Sequence, residues 1–258
     1  MTDRLSPDRI SRDVLQRSRQ IHAKDGSQGL DALASLHQYH LAYTTTCRLV
    51  ADEANVLDWG GGSGHFSFFL NRSGYKTSIF SFSDPQFVHA ETSTGQIACT
   101  VADSSQPIRL PYPDNYFDTV FSIGVLEHVR ETGGDERASL SEIRRILKPN
   151  GIFLCYHFPS KGSWIEWLAA KLGHYHHQHT YNRTQINTIF DGILPIAELQ
   201  RYALLPRNML RHLPQSIVNN ALFCSLFNGI DKVLSKCLPW LTQNWMIVAR
   251  KAQDNGQR

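Results

Sequence analysis

An aspartate closing an apolar run, followed by glycines at alternate positions, is the feature of this chain most suited to holding a small polar ligand: Asp58-x-Gly60-x-Gly62-x-Gly64. Val56-Leu57-Asp58-Trp59 reads as a buried strand, and a helical pattern opens at His65-Phe66. Glycines allow a tight strand-to-helix turn and a close approach of backbone to a ligand. The unpaired N–H groups of the helix that follows would face a polar or anionic end of it. The bland alternative is a tight turn with no ligand. Spacing separates the ligand classes. A dinucleotide loop reads GxGxxG and carries its acid about 20 residues downstream. Counted from Gly60, its third glycine would fall on His65, and here the acid comes before the glycines. The run also lacks the Lys-Ser/Thr of a phosphate-binding P-loop.

Histidines supply the candidates for proton transfer. His128 follows the apolar run 117–125, at the carboxyl edge where ligands of open α/β sheets bind. It is the first candidate for a general base, should an acceptor have a proton to lose; a hydrogen-bonded histidine at a helix start is the alternative. His157 closes the run 151–158 and is a second candidate. His174, His176, His177 and His179 fall within one short loop. No Cys, Asp or Glu lies among them, and adjacent loop histidines point apart, so no metal is expected. A place for His179 or Tyr181 beside an acceptor pocket is favoured over metal binding, and a solvated loop is the alternative.

The elements that must position these groups alternate along the chain. Strands are expected at 55–59, 76–82, 96–103, 117–125, 151–158, 196–205 and 244–251. Helices are expected from about 65 to Gly74 and from Leu140 to Leu147, with helical or frayed segments at 1–25 and 30–50. Near-continuous apolar strands between helices indicate a parallel sheet covered on both faces. Leu222, Leu226, Ile230, Val233 and Leu234 follow helical spacing between the last two strands. That helix packs on the core or on a second subunit, or forms a lid or a membrane-surface contact aided by Lys232 and Lys236.

The glycine run resembles motif I of the class I S-adenosylmethionine-dependent methyltransferases. The stretches Val101-Ala102-Asp103, Leu110 to Val120, Gly124-Val125-Leu126-Glu127-His128-Val129 and Ile143 to Gly151 extend the resemblance to the type 11 methyltransferase family, over about 55–160. The resemblance implies a Rossmann-like α/β fold: a seven-stranded, mostly parallel sheet with helices on both faces. To this are added an N-terminal helical cap (1–50) and, within the methyltransferase domain (51–258), a C-terminal helical insertion on the acceptor side at about 161–242. It implies S-adenosyl-L-methionine as cofactor, with Asp58, Gly60, Gly62, Gly64, Ser81, Phe82, Asp103 and Ser122 beside it. Asp58 would help hold the methionine end, and Asp103 would accept a hydrogen bond from the adenine amino group. His179, with Thr180 and the helix after it, resembles the family segment that borders the acceptor. The chain departs from the family at Ser81, where an acid usually binds both ribose hydroxyls; one hydroxyl cannot accept two hydrogen bonds as a carboxylate does. Asp84 could substitute if the loop bends back.

Bulk properties narrow the acceptor. The chain has 258 residues, 41% hydrophobic and 19% charged, which fits a globular domain. A formal charge of +3 does not imply a nucleic-acid partner. The Asn/Asp-Pro-Pro-aromatic motif of nucleic-acid amino-methyltransferases is missing after strand four, where Ser122-Ile123-Gly124-Val125 stands. Cys47, Cys99, Cys155, Cys224 and Cys237 are dispersed, as in reduced cytoplasmic proteins. The amino-terminal stretch is polar, and no apolar run reaches the ~20 residues of a membrane span. The expectation is a cytoplasmic enzyme methylating a small-molecule, lipid-linked or sugar-linked acceptor, with oligomeric state open. A relative that binds the cofactor but has lost catalysis, and a dinucleotide oxidoreductase, are the competing readings.

Overall fold

The computed structural model describes residues 6–25, 30, 32–82, 85, 87–88, 96–103 and 105–253. Seven strands form one sheet: β1 (Asn55–Trp59), β2 (Lys76–Ser81), β3 (Ala98–Val101), β4 (Phe117–Ile123), β5 (Leu147–Pro159), β6 (Ile196–Tyr202) and β7 (Asn244–Arg250). Their order is β3-β2-β1-β4-β5-β7-β6. The first five run parallel, whereas β7 is antiparallel to both β5 and β6. Strand alternation divides the core in two. Val56, Phe121, Leu154 and Tyr156 face one helical layer; Leu57, Val120, Phe153 and Cys155 face the other. Both faces are covered, which is why these strands read as unbroken apolar runs. The two edge strands are exceptions: β3 is largely exposed, and β6 buries only Tyr202.

One layer holds α1 (Pro7–Asp25), α2 (Leu33–Leu36), α3 (His40–Leu49) and α4 (His65–Arg72). Ile10 and Val14 of α1 are fully buried in it, and Asp13 pairs with Arg72 at 2.7 Å. Tyr43 of α3 stacks on Phe69 of α4 at 3.8 Å. The segment 30–50 is not one helix: a 3-10 turn, His37–Tyr39, separates α2 from α3. The other layer holds α5 (Glu136–Ile146) and α7 (Arg183–Phe190), with Leu140, Ile143, Ile186 and Phe190 buried. α5 begins four residues before the expected helix because Asp135 caps it, accepting from the Ala138 N–H at 3.0 Å.

α6 (Trp164–Lys171) follows β5 and buries none of its residues. α8 (Gln215–Val218) and α9 (Ala221–Cys237) lie between β6 and β7. α9 has the expected helical stripe, but turned outward. Leu222, Leu226, Ile230 and Val233 are 68%, 58%, 54% and 60% exposed, while Cys224, Asp231 and Ser235 are buried. Spacing identifies a face but not the direction it points; here an anchor on the polar face decides. The Asp231 carboxylate accepts from the Leu204 and Leu205 N–H groups just beyond β6, at 2.9 and 2.7 Å. Among the described residues no helix is long and apolar enough to cross a membrane.

Candidate functional site

The carboxyl edge of β1 carries the first part of the site. Gly60, Gly62 and Gly64 all have positive φ, between +52° and +89°, a region open to glycine at little cost. The Gly60 and Gly61 N–H groups donate to the Phe80 carbonyl of β2, at 2.7 and 3.2 Å. A Cβ on Gly60 would stand 2.6 Å from both Cγ atoms of Val125, so the loop and the turn after β4 are in direct contact. Asp58 is buried beneath the loop. Its Oδ2 accepts from Ser67 Oγ at 2.6 Å, and its Oδ1 has no hydrogen-bond partner among the described residues. Burial raises its carboxyl to about 6, although the Ser67 hydrogen bonds oppose the shift. A buried carboxylate oxygen without a partner, beside a loop where a Cβ would clash, fits the charged methionine end of S-adenosylmethionine.

The remaining expected cofactor residues are spread along this edge. Ser81 is buried at the end of β2, with Oγ 3.5 Å from the Gly62 carbonyl. Phe82 is half-exposed next to it. Asp103 follows β3 and is open to solvent; its carboxylate accepts from the Ser105 Oγ and N–H, which hold it below the usual carboxylate range. Ser122 is fully buried and accepts from the Leu126 N–H at 3.2 Å, bracing the turn after β4. Asp84, suggested as a ribose partner, lies outside the described residues.

A row of rings leads away from the loop. His65 lies 4.6 Å from Tyr39, Tyr39 lies 5.3 Å from His157, and His157 lies 6.0 Å from Tyr202, which stacks on Tyr156 at 4.5 Å. His157 has φ +66°, at a shift in the β5–β7 register between Cys155 and Phe158. Such a bulge redirects a side chain. Its N–H donates to the Tyr202 hydroxyl at 2.8 Å. Burial pushes His65 down to about 4 and His157 to about 3, so both are neutral at neutral pH. Beyond Tyr156 and Tyr202 opens a cavity of about 790 Å³ between α3, β6 and α9. Arg12, His37, Arg201, Arg207, Lys232 and Lys236 are among its lining residues. Sequence reasoning found His157 but missed Tyr39, His65 and Tyr202, whose meeting depends on long-range packing. Only His65 left a local signal, as the residue standing where a dinucleotide loop needs glycine.

The turn after β4, a 3-10 segment at Leu126–Thr132, carries His128 to the sheet edge. Its Nδ1 lies 2.9 Å from Glu131 Oε1. The histidine that meets it is His177, with ring centroids 5.6 Å apart. His179 is half-buried on the same loop as His177, two residues further on. Glu166 of α6 fixes His177: Oε2 accepts from its N–H at 2.9 Å, and Oε1 lies 3.1 Å from its Nδ1. Burial lowers the pKa of His177, but the bonds from Glu166 outweigh it and the net shift is upward. Glu127 is buried beside this pair, with its carboxyl raised to about 8 by burial.

Residues 57–155 match a family model described as "Methyltransferase domain". Over 136 residues the chain is 29% identical to the ubiquinone/menaquinone biosynthesis C-methyltransferase UbiE of Paraburkholderia phymatum, covering 48% of this chain and 51% of that protein. Over 65 residues it is 43% identical to the sterol 24-C-methyltransferase ERG6B of Gibberella zeae, covering 25% of this chain and 14% of that one. The chain thus spans about half the length, or less, of these two relatives. The 1,6-didemethyltoxoflavin-N1-methyltransferase of Burkholderia thailandensis, solved with 1,6-didemethyltoxoflavin and S-adenosylhomocysteine, has the same fold. The TM-score is 0.54 at 16% identity, with 98% of this chain and 94% of that one covered. The glycine loop, the order of the strands and the matched segment agree: residues 57–155 resemble a methyltransferase domain, on a fold shared with a methyltransferase solved with S-adenosylhomocysteine.

Proposed function

We propose that this chain methylates an amphipathic, lipid-linked small molecule that it meets at an anionic lipid surface. The observation that carries the acceptor half is α9: its apolar face is turned to solvent and its polar face lines the cavity. From 199 to 243 the only acid is Asp231, which is buried, against Arg201, Arg207, Arg211, Lys232 and Lys236. An outward apolar stripe flanked by cations is the pattern of a helix lying in a membrane interface. The basic lining of the cavity complements an anionic head group. Relatives named for sterol methylation and for ubiquinone/menaquinone biosynthesis are compatible with this acceptor class.

Asp58 would hold the ammonium of the methionine end, the glycine loop its backbone, and Asp103 the adenine amino group. Ser81, Phe82 and Ser122 complete the proposed cofactor edge, Ser122 by bracing the turn. When bound, S-adenosylmethionine supplies a methyl group already activated on sulfur, so the protein's part is orientation and exclusion of water. His128 and His179 are the side chains proposed to take a proton from an acceptor that must lose one.

Sedimentation with vesicles tests the acceptor reading. The full chain should pellet with phosphatidylglycerol vesicles and not with phosphatidylcholine, and salt should weaken the binding. Replacing Leu222, Leu226 and Ile230 together by Ser should cut the bound fraction at least about tenfold, since each loses ~1.5–3 kcal/mol of apolar burial in the lipid. Binding that ignores lipid charge, or survives the triple substitution, would overturn the proposal.

A second reading, cofactor binding without catalysis, is favoured by Ser81. Ser81→Asp tests the placement on which that second reading rests. If the ribose lies against this position, the variant should bind S-adenosylhomocysteine about tenfold more tightly in calorimetry, the value of roughly one charged hydrogen bond. A weaker complex would remove Ser81 from the ribose edge.

A further inference from the structure

The turn after β4 and the loop after α6 bring together three groups with metal-ligand chemistry. Glu127, His128 and His177 each offer one ligand atom, and these atoms lie within 4.8 Å of one another. We propose that they form a site for one divalent transition-metal cation of the zinc or manganese class. The two histidines are mounted as metal-binding histidines usually are, with one ring nitrogen held by a carboxylate. Glu131 faces Nδ1 of His128 and Glu166 faces Nδ1 of His177, which leaves Nε2 of each ring as the ligating atom. Gln243 Nε2 donates to the same Glu166 oxygen at 3.0 Å and steadies it. The third group, Glu127, is buried; its Oε1 lies 4.0 Å from His128 Nε2, and its Oε2 has no hydrogen-bond partner among the described residues. A buried carboxylate oxygen without a partner carries a desolvation cost that a cation would relieve. Ligands at about 2.0–2.2 Å from a tetrahedral ion lie roughly 3.4 Å apart, so small rotations of the two partly buried imidazoles would close the set.

Two imidazoles and one carboxylate suit zinc, manganese or ferrous iron better than calcium or magnesium, which favour all-oxygen shells. Three protein ligands leave at least one position open. The site adjoins the glycine loop, because Val125, two residues before Glu127, is the side chain that a Cβ on Gly60 would strike. If the methyltransferase reading holds, an acceptor oxygen in the open position would lose its proton more readily. His128 would then hold the cation, the cation would ease the loss of the proton, and His179 or water would take it. The sequence concealed the site because its acids, Glu127, Glu131 and Glu166, lie outside the histidine-rich loop.

Calorimetric titration of the chelator-stripped full chain with zinc, and visible absorption with cobalt, test the site. One equivalent of zinc should bind with micromolar or tighter affinity, and cobalt should give the absorption band of a low-symmetry site. Glu127→Gln, His128→Ala and His177→Ala should each weaken zinc at least tenfold. A chain carrying both His174→Ala and His176→Ala should bind as the parent does. Binding unaffected by His128→Ala and His177→Ala, or lost in the His174/His176 variant, would overturn the proposal, as would affinity no better than millimolar. Should Glu127→Gln lose its native circular dichroism, the two histidine variants decide the matter, His128→Ala first because it is the more exposed position. The melting shift given by S-adenosylhomocysteine is measured in parallel. Its persistence in a chain that fails to bind zinc would reject the metal site and leave the methyltransferase reading standing.

Discussion

Asp58→Asn is expected to abolish most of the melting shift that S-adenosylhomocysteine should give the parent chain, and at the same time to make the ligand-free chain more stable at neutral pH. Both effects come from one buried carboxylate. In the folded chain its pKa is about 6, against an ordinary 3.8. A carboxyl raised in this way contributes stability below about pH 4 that is lost as the pH rises through 6. At pH 7 the folded chain therefore holds a charge it has few means of solvating, a cost of up to about 3 kcal/mol. Asparagine removes that cost and can keep the bond from Ser67. It also removes the charge that meets an ammonium, a loss of about 2–3 kcal/mol, or some 30–150-fold in affinity. The pH profile adds a check. Parent affinity should fall as the pH drops below about 6, while the variant stays flat there. A variant that binds S-adenosylhomocysteine as the parent does would show that Asp58 lies outside the cofactor site; a shift given by NAD(H) instead would replace the cofactor.

Gly60→Ala is expected to lower the melting temperature by roughly 4–20 °C and to prevent cofactor binding. Two penalties combine. At φ +74° a residue with a Cβ pays about 1–2 kcal/mol. That Cβ would also stand 2.6 Å from both methyl carbons of Val125, and overpacking of this kind usually costs another 1–3 kcal/mol. For a chain of this size about 1 kcal/mol moves the melting point by ~2–4 °C. Val125→Ala in the same chain should recover the packing share but not the backbone share. Scanning calorimetry of the two single variants and the double variant measures the recovery. Full recovery would mean that the loop tolerates a side chain at this φ; none would mean that Val125 is not what the new methyl strikes.

How much of this could be read beforehand depended on how far apart in sequence the interacting residues lie. The strands announced themselves because two covered faces demand continuous apolar runs, and the glycine loop because its backbone angles restrict the residues allowed. β3 was legible as a strand but not as an exposed edge, since its neighbours on the sheet are set by crossovers. Spacing recovered the stripe of α9 and not its direction. That direction rests on Asp231 reaching Leu204 and Leu205, more than 25 residues away in the chain. His177 was hidden among four loop histidines; its meeting with His128 depends on Glu166 of α6 and on a turn some 50 residues earlier. The row Tyr39, His65, His157 and Tyr202 draws on four separate segments, and nothing local in Tyr39 or Tyr202 marked it.

The strand order bears on how the molecule is assembled. β7 follows β6 in the chain yet lies between β5 and β6. Until β7 is in place, β6 has no neighbour in the sheet at all, and its backbone groups must remain hydrated. The five parallel strands, with the glycine loop and Asp58, can form from residues already synthesised by about position 160. The β6–β7 edge, including the ring of Tyr202 and the region that anchors α9, can set only when the last strand inserts. Such late, long-range pairing is intrinsically slow. During synthesis on the ribosome, a nascent chain with its glycine loop formed would thus exist before one with its β6–β7 edge closed, so that the two sides of the sheet mature in sequence.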